Sequence, residues 1–540
     1  MIPTMKKFLL LSVFCSLMHL AWSAVLEGKT YRIVSVGAKD KSLLIENSSL
    51  ANNANILLWT DMNVPSQQWE AVRNDDGSFA FKNVYSGKFL TRRGVLGKTS
   101  QLYQTTFSTF SSSKWRVEAV VGQAAQYQLV QQDGGQLYCI TTPSTNDGAT
   151  LSVDVVQKNQ TGGAEPSQIW QLVEVEPINK ITRELRDEVM NGWTKQFVRP
   201  RGANVSFGIG GGWGDAEMLE TMLDAYETSG QEAYLDLFKK GFNYFKSKVK
   251  DNWLRHFWFG YRWNGQDFND DVMWMIIASA RAGLLTGSTI YTQLAKNNFD
   301  AIYQRAYNPW GMLRWAERSG DRNGTNSCIN GPAEVAACYI AMATGDETYY
   351  AKARDLYAKQ RRYLFNASTG QVFDSFIWDA TTNLPSKYNR WASTYNQGTM
   401  LGAAVMLYNH YGDEQYKQDA ERIMEYTVKH LCNQEGIINV CQVVDGDLSG
   451  FKGILMRYVR KFIIDLNKPE YVEWMQKNAM QAYSNMNSRG VIHSAWLTKS
   501  REDFMFGDKK VGEQPFGCST AVSVAFNTPL NDSRIVKDAF

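Results

Sequence analysis

Asn269-Asp270-Asp271-Val272-Met273-Trp274 begins a run that continues as IIASARAGLL to Leu285, and its reading decides the architecture of most of the chain. Val272, Met273, Met275, Ile276, Ile277, Ala278, Ala280, Ala282, Leu284 and Leu285 leave no polar stripe. A helix that is apolar on every face must be wrapped by other elements. The two adjacent carboxylates at its head therefore sit on a buried rod, at the positive end of its dipole. They are either a strong N-cap or the place where chemistry happens.

Outward from this run the pattern repeats. Turn markers recur at Ser229-Gly230, Thr286-Gly287, Thr344-Gly345, Tyr411-Gly412 and Asn467. The segments before them are apolar or small all round, as in AEVAACYIAMA and GTMLGAAVMLYNHY; those after them are striped and charged, as in ETYYAKARDLYAKQRRYL. All-apolar helices want burial on every side, whereas striped ones keep one wet face. Alternating the two predicts an inner ring wrapped by an outer ring. With the helix near Ile181 and the last run CSTAVSVAF the count reaches about twelve, an all-α (α/α)6 toroid over residues 178–540. The inner helices would start at GGWGDAE, FNDDVMW, INGPAEV, TYNQGTM, SGFKGIL and PFGCSTA, all on one face of the ring. Capping accounts for one Asn, Asp or Gly per start, but not for the aromatic partners. GIGGGWG near Gly208 does not fit GxGxxG, has no strand-turn-helix setting, and reads as a loop over the ring mouth.

Residues 25–177 look different: short alternating segments rich in Thr, Val and Tyr, split by Gly, Asn, Asp and Ser, predict an all-β module. YRIVSVGAKDKSLLI, FAFKNVYSGKFLTR and YQLVQQDGGQLYCI begin three repeats that close on QQW at Trp69, SKW at Trp115 and QIW at Trp170. This pattern resembles the ricin-type β-trefoil lectins. The resemblance implies that each Trp packs in a shared core, that the Gln steadies a neighbouring loop, and that sugar binding needs an acid early in a repeat and an aromatic platform further along. Asp40 and Trp59 are the candidates in the first repeat and Asp133 in the third. The middle repeat has Ser113 in place of Gln and no convincing acid; a trefoil that binds nothing is the alternative.

At the N-terminus Lys6-Lys7 precede FLLLSVFCSLMHLAW, and small residues follow at Ser23 and Ala24. Basic, apolar, then small reads as a secretory signal over residues 1–24. The expectation is an exported protein, periplasmic or secreted, with no membrane span. A net charge of +3 with 21% charged residues suggests no nucleic-acid partner. Of the six later cysteines, Cys328/Cys338 and Cys432/Cys441 are local candidates for disulfides, with buried free thiols as the alternative. No CxxC pair exists and the histidines are scattered, so no metal site and no cofactor are expected.

Glycosidic cleavage needs two carboxyl groups, one as acid and one as base or nucleophile. Asp270 and Asp271 offer both; set close together they cannot both ionise freely, so one pKa should rise. Trp253, Trp258, Tyr261 and Trp263 cluster just upstream and are suited to line sugar subsites. NDDVMW, INGPAE at Ile329, TYNQG at Thr394 and FKG at Phe451 resemble glycoside hydrolase family 76, the endo-α-1,6-mannanases, over roughly residues 180–530. The resemblance implies retaining hydrolysis of α-1,6-mannan backbones, with Asp270 as nucleophile and Asp271 as acid/base, and implies no metal. Trp213, Asn269, Asn330, Tyr395, Asn396, Gln397 and Lys452 fall at inner-helix starts and are candidate subsite residues by position. Two other readings stay open: a mannan-remodelling transglycosylase, or hydrolase of another α-linked glycan, on the same fold, and a carbohydrate-binding protein without turnover.

Overall fold

The computed structural model describes residues 27–159, 162–207, 212–250, 267–318, 322–502, 505–506, 509–510 and 514–530. The signal-like segment 1–24, the glycines at 208–211 and the aromatic cluster at 253–263, Trp263 included, lie outside the described residues. The chain divides into two compact units between Asn179 and Lys180.

The first unit is all-β, with thirteen strands in one hydrogen-bonded system. Its first strand, Thr30–Ser35, pairs antiparallel with its last, Trp170–Glu174, so the ends of the module close on each other. The three repeat tryptophans are fully buried, and each donates its indole N–H to a carbonyl in its own repeat: Trp69 to Leu43, Trp115 to Leu90 and Trp170 to Ile140. The glutamines clamp a loop from both sides. Gln67 Nε2 donates to Thr60 O at 2.8 Å and its Oε1 accepts from Met62 N; Gln168 does the same with Val155 O and Gln157 N. Ser113 replaces that clamp in the middle repeat with hydroxyl bonds to Phe107 O and Thr91 Oγ1. This is a ricin-type trefoil.

The second unit has twelve α-helices among the described residues. The first six are α1 (Arg183–Phe197), α2 (Trp213–Ser229), α3 (Glu232–Lys250), α4 (Asn269–Thr286), α5 (Thr289–Ala306) and α6 (Ser327–Thr344). The rest are α7 (Glu347–Tyr363), α8 (Thr394–Tyr411), α9 (Glu414–His430), α10 (Phe451–Asp465), α11 (Val472–Ser484) and α12 (Pro515–Asn527). Each even-numbered helix packs on the next, and α12 returns to α2, so six helices form a closed inner ring. The odd-numbered helices pack outside them. The sequence pattern has its cause here: α8 is buried from Thr394 through Leu407, whereas α9 buries one stripe. The turn markers end the inner helices in left-handed backbone, with φ of +67° at Gly230, +66° at Gly287, +71° at Gly345 and +69° at Gly412, and Asn467 adopts +53°. A residue without a Cβ stops a helix in that conformation at no steric cost.

The six cysteines among the described residues are free thiols. Cys328 and Cys338 lie ten residues apart on one helix, and a rise of about 1.5 Å per residue holds them too far apart to bond.

Inner helices approach closely. A methyl placed on Gly398 would lie 2.8 Å from the Leu455 Cα of α10, a backbone atom that cannot rotate away. Gly398→Ala should therefore destabilise the toroid by about 1–3 kcal/mol through overpacking, although alanine is the better helix former. Thermal unfolding of the variant checks the sign.

Candidate active site

α4 begins in an unusual way. Its N-cap is Phe268, which makes no side-chain capping bond, and Asp270 and Asp271 occupy the first turn. Neither carboxylate is the N-cap residue. Both line a cavity of about 430 Å³ at the mouth of the ring, with Trp213, Phe268, Trp274, Trp315, Asn326, Cys328, Asp374, Tyr395, Asp447 and Phe451.

Asp270 is held on both oxygens. Its Oδ2 accepts from Trp315 Nε1 at 3.0 Å and from the Cys328 thiol at 3.1 Å, while Oδ1 accepts from the Asp271 amide at 3.1 Å. Burial pushes its pKa up to about 6, against the opposing pull of the Cys328 and Trp315 donors. The thiol that donates is itself held protonated, because burial and the neighbouring Asp270 raise its pKa. The Tyr395 hydroxyl is hydrogen-bonded to the same sulfur. Aromatic rings line the same cavity: Tyr395 stacks on Phe451 at 3.8 Å, and the Trp213 ring stands 5.9 Å from Phe451 and 6.0 Å from Trp274. Flat, apolar rings of this kind suit the faces of sugars.

Two further carboxylates complete the wall. Asp374 accepts from Ser375 Oγ, Asn389 Nδ2 and Asn396 Nδ2, and burial raises its pKa. Asp447 accepts from Trp213 Nε1 at 3.1 Å.

Of the substrate-binding candidates, Trp213 and Tyr395 line this cavity. Asn269, Asn330, Gln397 and Lys452 do not; each is fully buried and spent on the fold. Asn269 donates to Arg314 O and Glu317 Oε1 and accepts from Arg305 Nε. Asn330, one turn inside α6, exchanges bonds with the Leu313 backbone and donates to Asn326 O. Gln397 bridges Val372 N and Gly370 O. Lys452 donates to Cys441 O, and burial lowers its pKa to about 7. Asn396 stands behind the wall, on Asp374. Sequence reasoning missed Trp315, Cys328, Asp374 and Asp447, which lie off the helix starts or inside other motifs. Asp374 precedes the hairpin Ser375–Asp379 and Leu384–Asn389, and alternation in FDSFIWD was the signal available for it. In the trefoil, Asp40 is exposed with φ +57°, Trp59 lies beside Gly148, and Asp133 is the exposed last residue of a hairpin strand.

Residues 182–531 match the model of glycosyl hydrolase family 76. The chain belongs to that family. Residues 19–95 and 65–154 match the ricin-type beta-trefoil lectin domain-like family. No curated protein matches the chain. Among solved structures, the GH76A alpha-1,6-mannanase from Salegentibacter sp. HEL1_6 is 23% identical, over 64% of this chain and 98% of that one, with a TM-score of 0.54. A family 76 glycoside hydrolase from a bovine Bacteroides thetaiotaomicron strain is 16% identical, over 85% of this chain and 98% of that one, with a TM-score of 0.53. At these identities the likeness establishes the family 76 fold.

Because burial raises the Asp270 pKa from 3.8 to about 6, the folded state holds its proton over that window while the unfolded state releases it. Stability contributed at this position is therefore lost as pH rises from about 4 to 6, by no more than about 3 kcal/mol. Asp270→Asn should raise the melting temperature by a few degrees at pH 7 and hardly change it at pH 4. Calorimetry at the two pH values reads the difference.

Proposed function

We propose that this family 76 enzyme is an exported endo-mannanase that cleaves α-1,6-mannosidic bonds with retention of configuration. Asp270 is the nucleophile and Asp271 the acid/base. The observation that carries the reading is the placement of both carboxylates, on consecutive residues of a buried helix start, in a cavity lined by Tyr395, Phe451, Trp213 and Trp274. Three donors on Asp270 orient it and pull its pKa down against the upward push of burial, which suits attack rather than proton donation. An inactive variant of the Salegentibacter enzyme, with two consecutive aspartates replaced by alanine, was solved in complex with alpha-1,6-mannotetrose. That pair matches the character of Asp270-Asp271 and supports the linkage and the need for two adjacent aspartates.

In the first step an Asp270 oxygen bonds to the anomeric carbon as the glycosidic C–O bond breaks, and Asp271 gives its proton to the departing oxygen. In the second, Asp271 takes a proton from water, whose oxygen displaces Asp270 from the same carbon. Two inversions give retention. The apolar signal-like segment 1–24 supports export, and a lectin-like module on the same chain would raise the local concentration of polysaccharide.

With unbranched α-1,6-mannan, Asp270→Asn and Asp271→Asn should each lose at least about a thousandfold in rate, since each removes a group from the reacting atoms. An aryl α-mannoside with a very acidic leaving group needs no proton, so it should restore the first step in Asp271→Asn and not in Asp270→Asn. Equal activity of either variant with the parent on mannan excludes the assignment.

If Asp270 must be ionised to attack, the acid limb of the rate profile lies near its pKa. Cys328→Ala removes one donor and should move that limb to higher pH by up to about one unit. Cys328→Ser, which keeps a donor, should restore most of the shift.

A further inference from the structure

The trefoil breaks its own three-fold pattern at one place. Its three indole N–H bonds put Leu43, Leu90 and Ile140 at equivalent positions. Two residues further on stand Ile45, Arg92 and Thr142. Immediately before the core tryptophans stand Gln68, Lys114 and Ile169, and immediately after them Glu70, Arg116 and Gln171. At all three positions the middle repeat carries a cation where its two sister repeats carry an apolar, neutral or acidic residue. A shared scaffold does not require this, since Ile45 fills the equivalent of Arg92 as a fully buried core residue.

The three cations converge. Arg92, Lys114 and Arg116 line one cavity of about 320 Å³, together with Asp76, Ser78 and Gln131 among others, at the junction of the second and third repeats. That size is at the small end of the ~300–1,000 Å³ range of ligand pockets and suits a single sugar residue. Lys114 is paired with Asp76 at 2.9 Å and Arg116 with Glu118 at 2.6 Å. Arg92 instead gives two of its five N–H donors to neutral acceptors, Gln131 Oε1 at 2.9 Å and the Gly94 carbonyl, and keeps the others. Gln131, itself 7% exposed, is anchored in turn on the Ser112 and Lys114 carbonyls, so the guanidinium is fixed in place. Burial lowers the Arg92 pKa, against the opposing pull of the nearby Asp133 carboxylate.

We propose that the middle repeat, which lacks the expected neutral-sugar acid, binds the oxyanion substituent of an acidic sugar, a carboxylate or a phosphate, on Arg92 with Arg116 and Lys114 around it. A guanidinium fork matches either oxyanion with two parallel bonds. The site stands apart from the hydrolytic reading and survives its failure.

Calorimetric titration of the full-length protein with glucuronic acid, mannose 6-phosphate, inorganic phosphate and mannose tests it. At least one of the two acidic sugars should bind, more weakly as salt is raised. Arg92→Gln and the surface variant Arg116→Gln, each with an unchanged melting temperature, should both weaken that binding, by roughly tenfold for Arg92 if a two-bond contact is lost. Glucuronate alone identifies a carboxylate as the substituent, and mannose 6-phosphate alone a phosphate. Three outcomes overturn the proposal: neither acidic sugar binds, both variants bind as the parent does, or inorganic phosphate binds as tightly as the sugar phosphate.

Discussion

Everything in the toroid follows from a helix that has no wet side. From Val272 to Gly283 every residue of α4 is buried, and five other inner helices share the condition closely enough that none can stand at a surface. A sheet would cover two faces of such a helix, and a bundle of four would leave one or more of six exposed. A closed ring with a second ring outside it buries all six. The outer helices carry the polar surface that the inner ones lack, which is why the two kinds alternate in sequence.

The ring is also tied across its middle. Asp224, Glu220 and Glu217 of α2 meet Arg281 of α4 and Arg457 of α10, with Arg281 at 2.7 Å and Arg457 at 2.9 Å from the same Asp224 oxygen. Ser523 of α12 donates to the other. Burial works against all of these charges, yet the two guanidinium groups hold Asp224 low, while Glu217, with weaker support, is pushed up to about 7. Burying charge is costly, so such a network adds little net stability. Its geometry does fix which helices meet, because removing any member strands the rest without water.

How much of this was legible follows from the same physics. Periodicity exposed the alternation of helices, the glycine markers exposed their ends, and QQW, SKW and QIW exposed the trefoil, since each is a local pattern with one physical cause. Asp374, Asp447, Trp315 and Cys328 reach the cavity from a hairpin flank, a 3-10 turn, a loop and the first turn of α6, and only the closed ring brings them together. Nothing in the chain near Cys328 announces that its thiol will meet Asp270.

The candidates that went elsewhere carry a sharper lesson. Asn269, Asn330, Gln397 and Lys452 were selected because they are polar residues at the heads of apolar helices, and that position creates two opposing demands. A helix head buried on all sides must satisfy the backbone of the loops packed over it, and amide side chains, with donors and acceptors together, do this best. Carboxylates do it badly, because they only accept. A carboxylate in the same position therefore keeps acceptor capacity unspent unless other side chains are sent to it. Trp315 and Cys328 are sent to one oxygen of Asp270, and the pair as a whole still opens onto the cavity. In a ring of buried helices, amides at the inner starts belong to the scaffold by default, and it is the acids, costly to hold there, whose presence calls for a functional explanation.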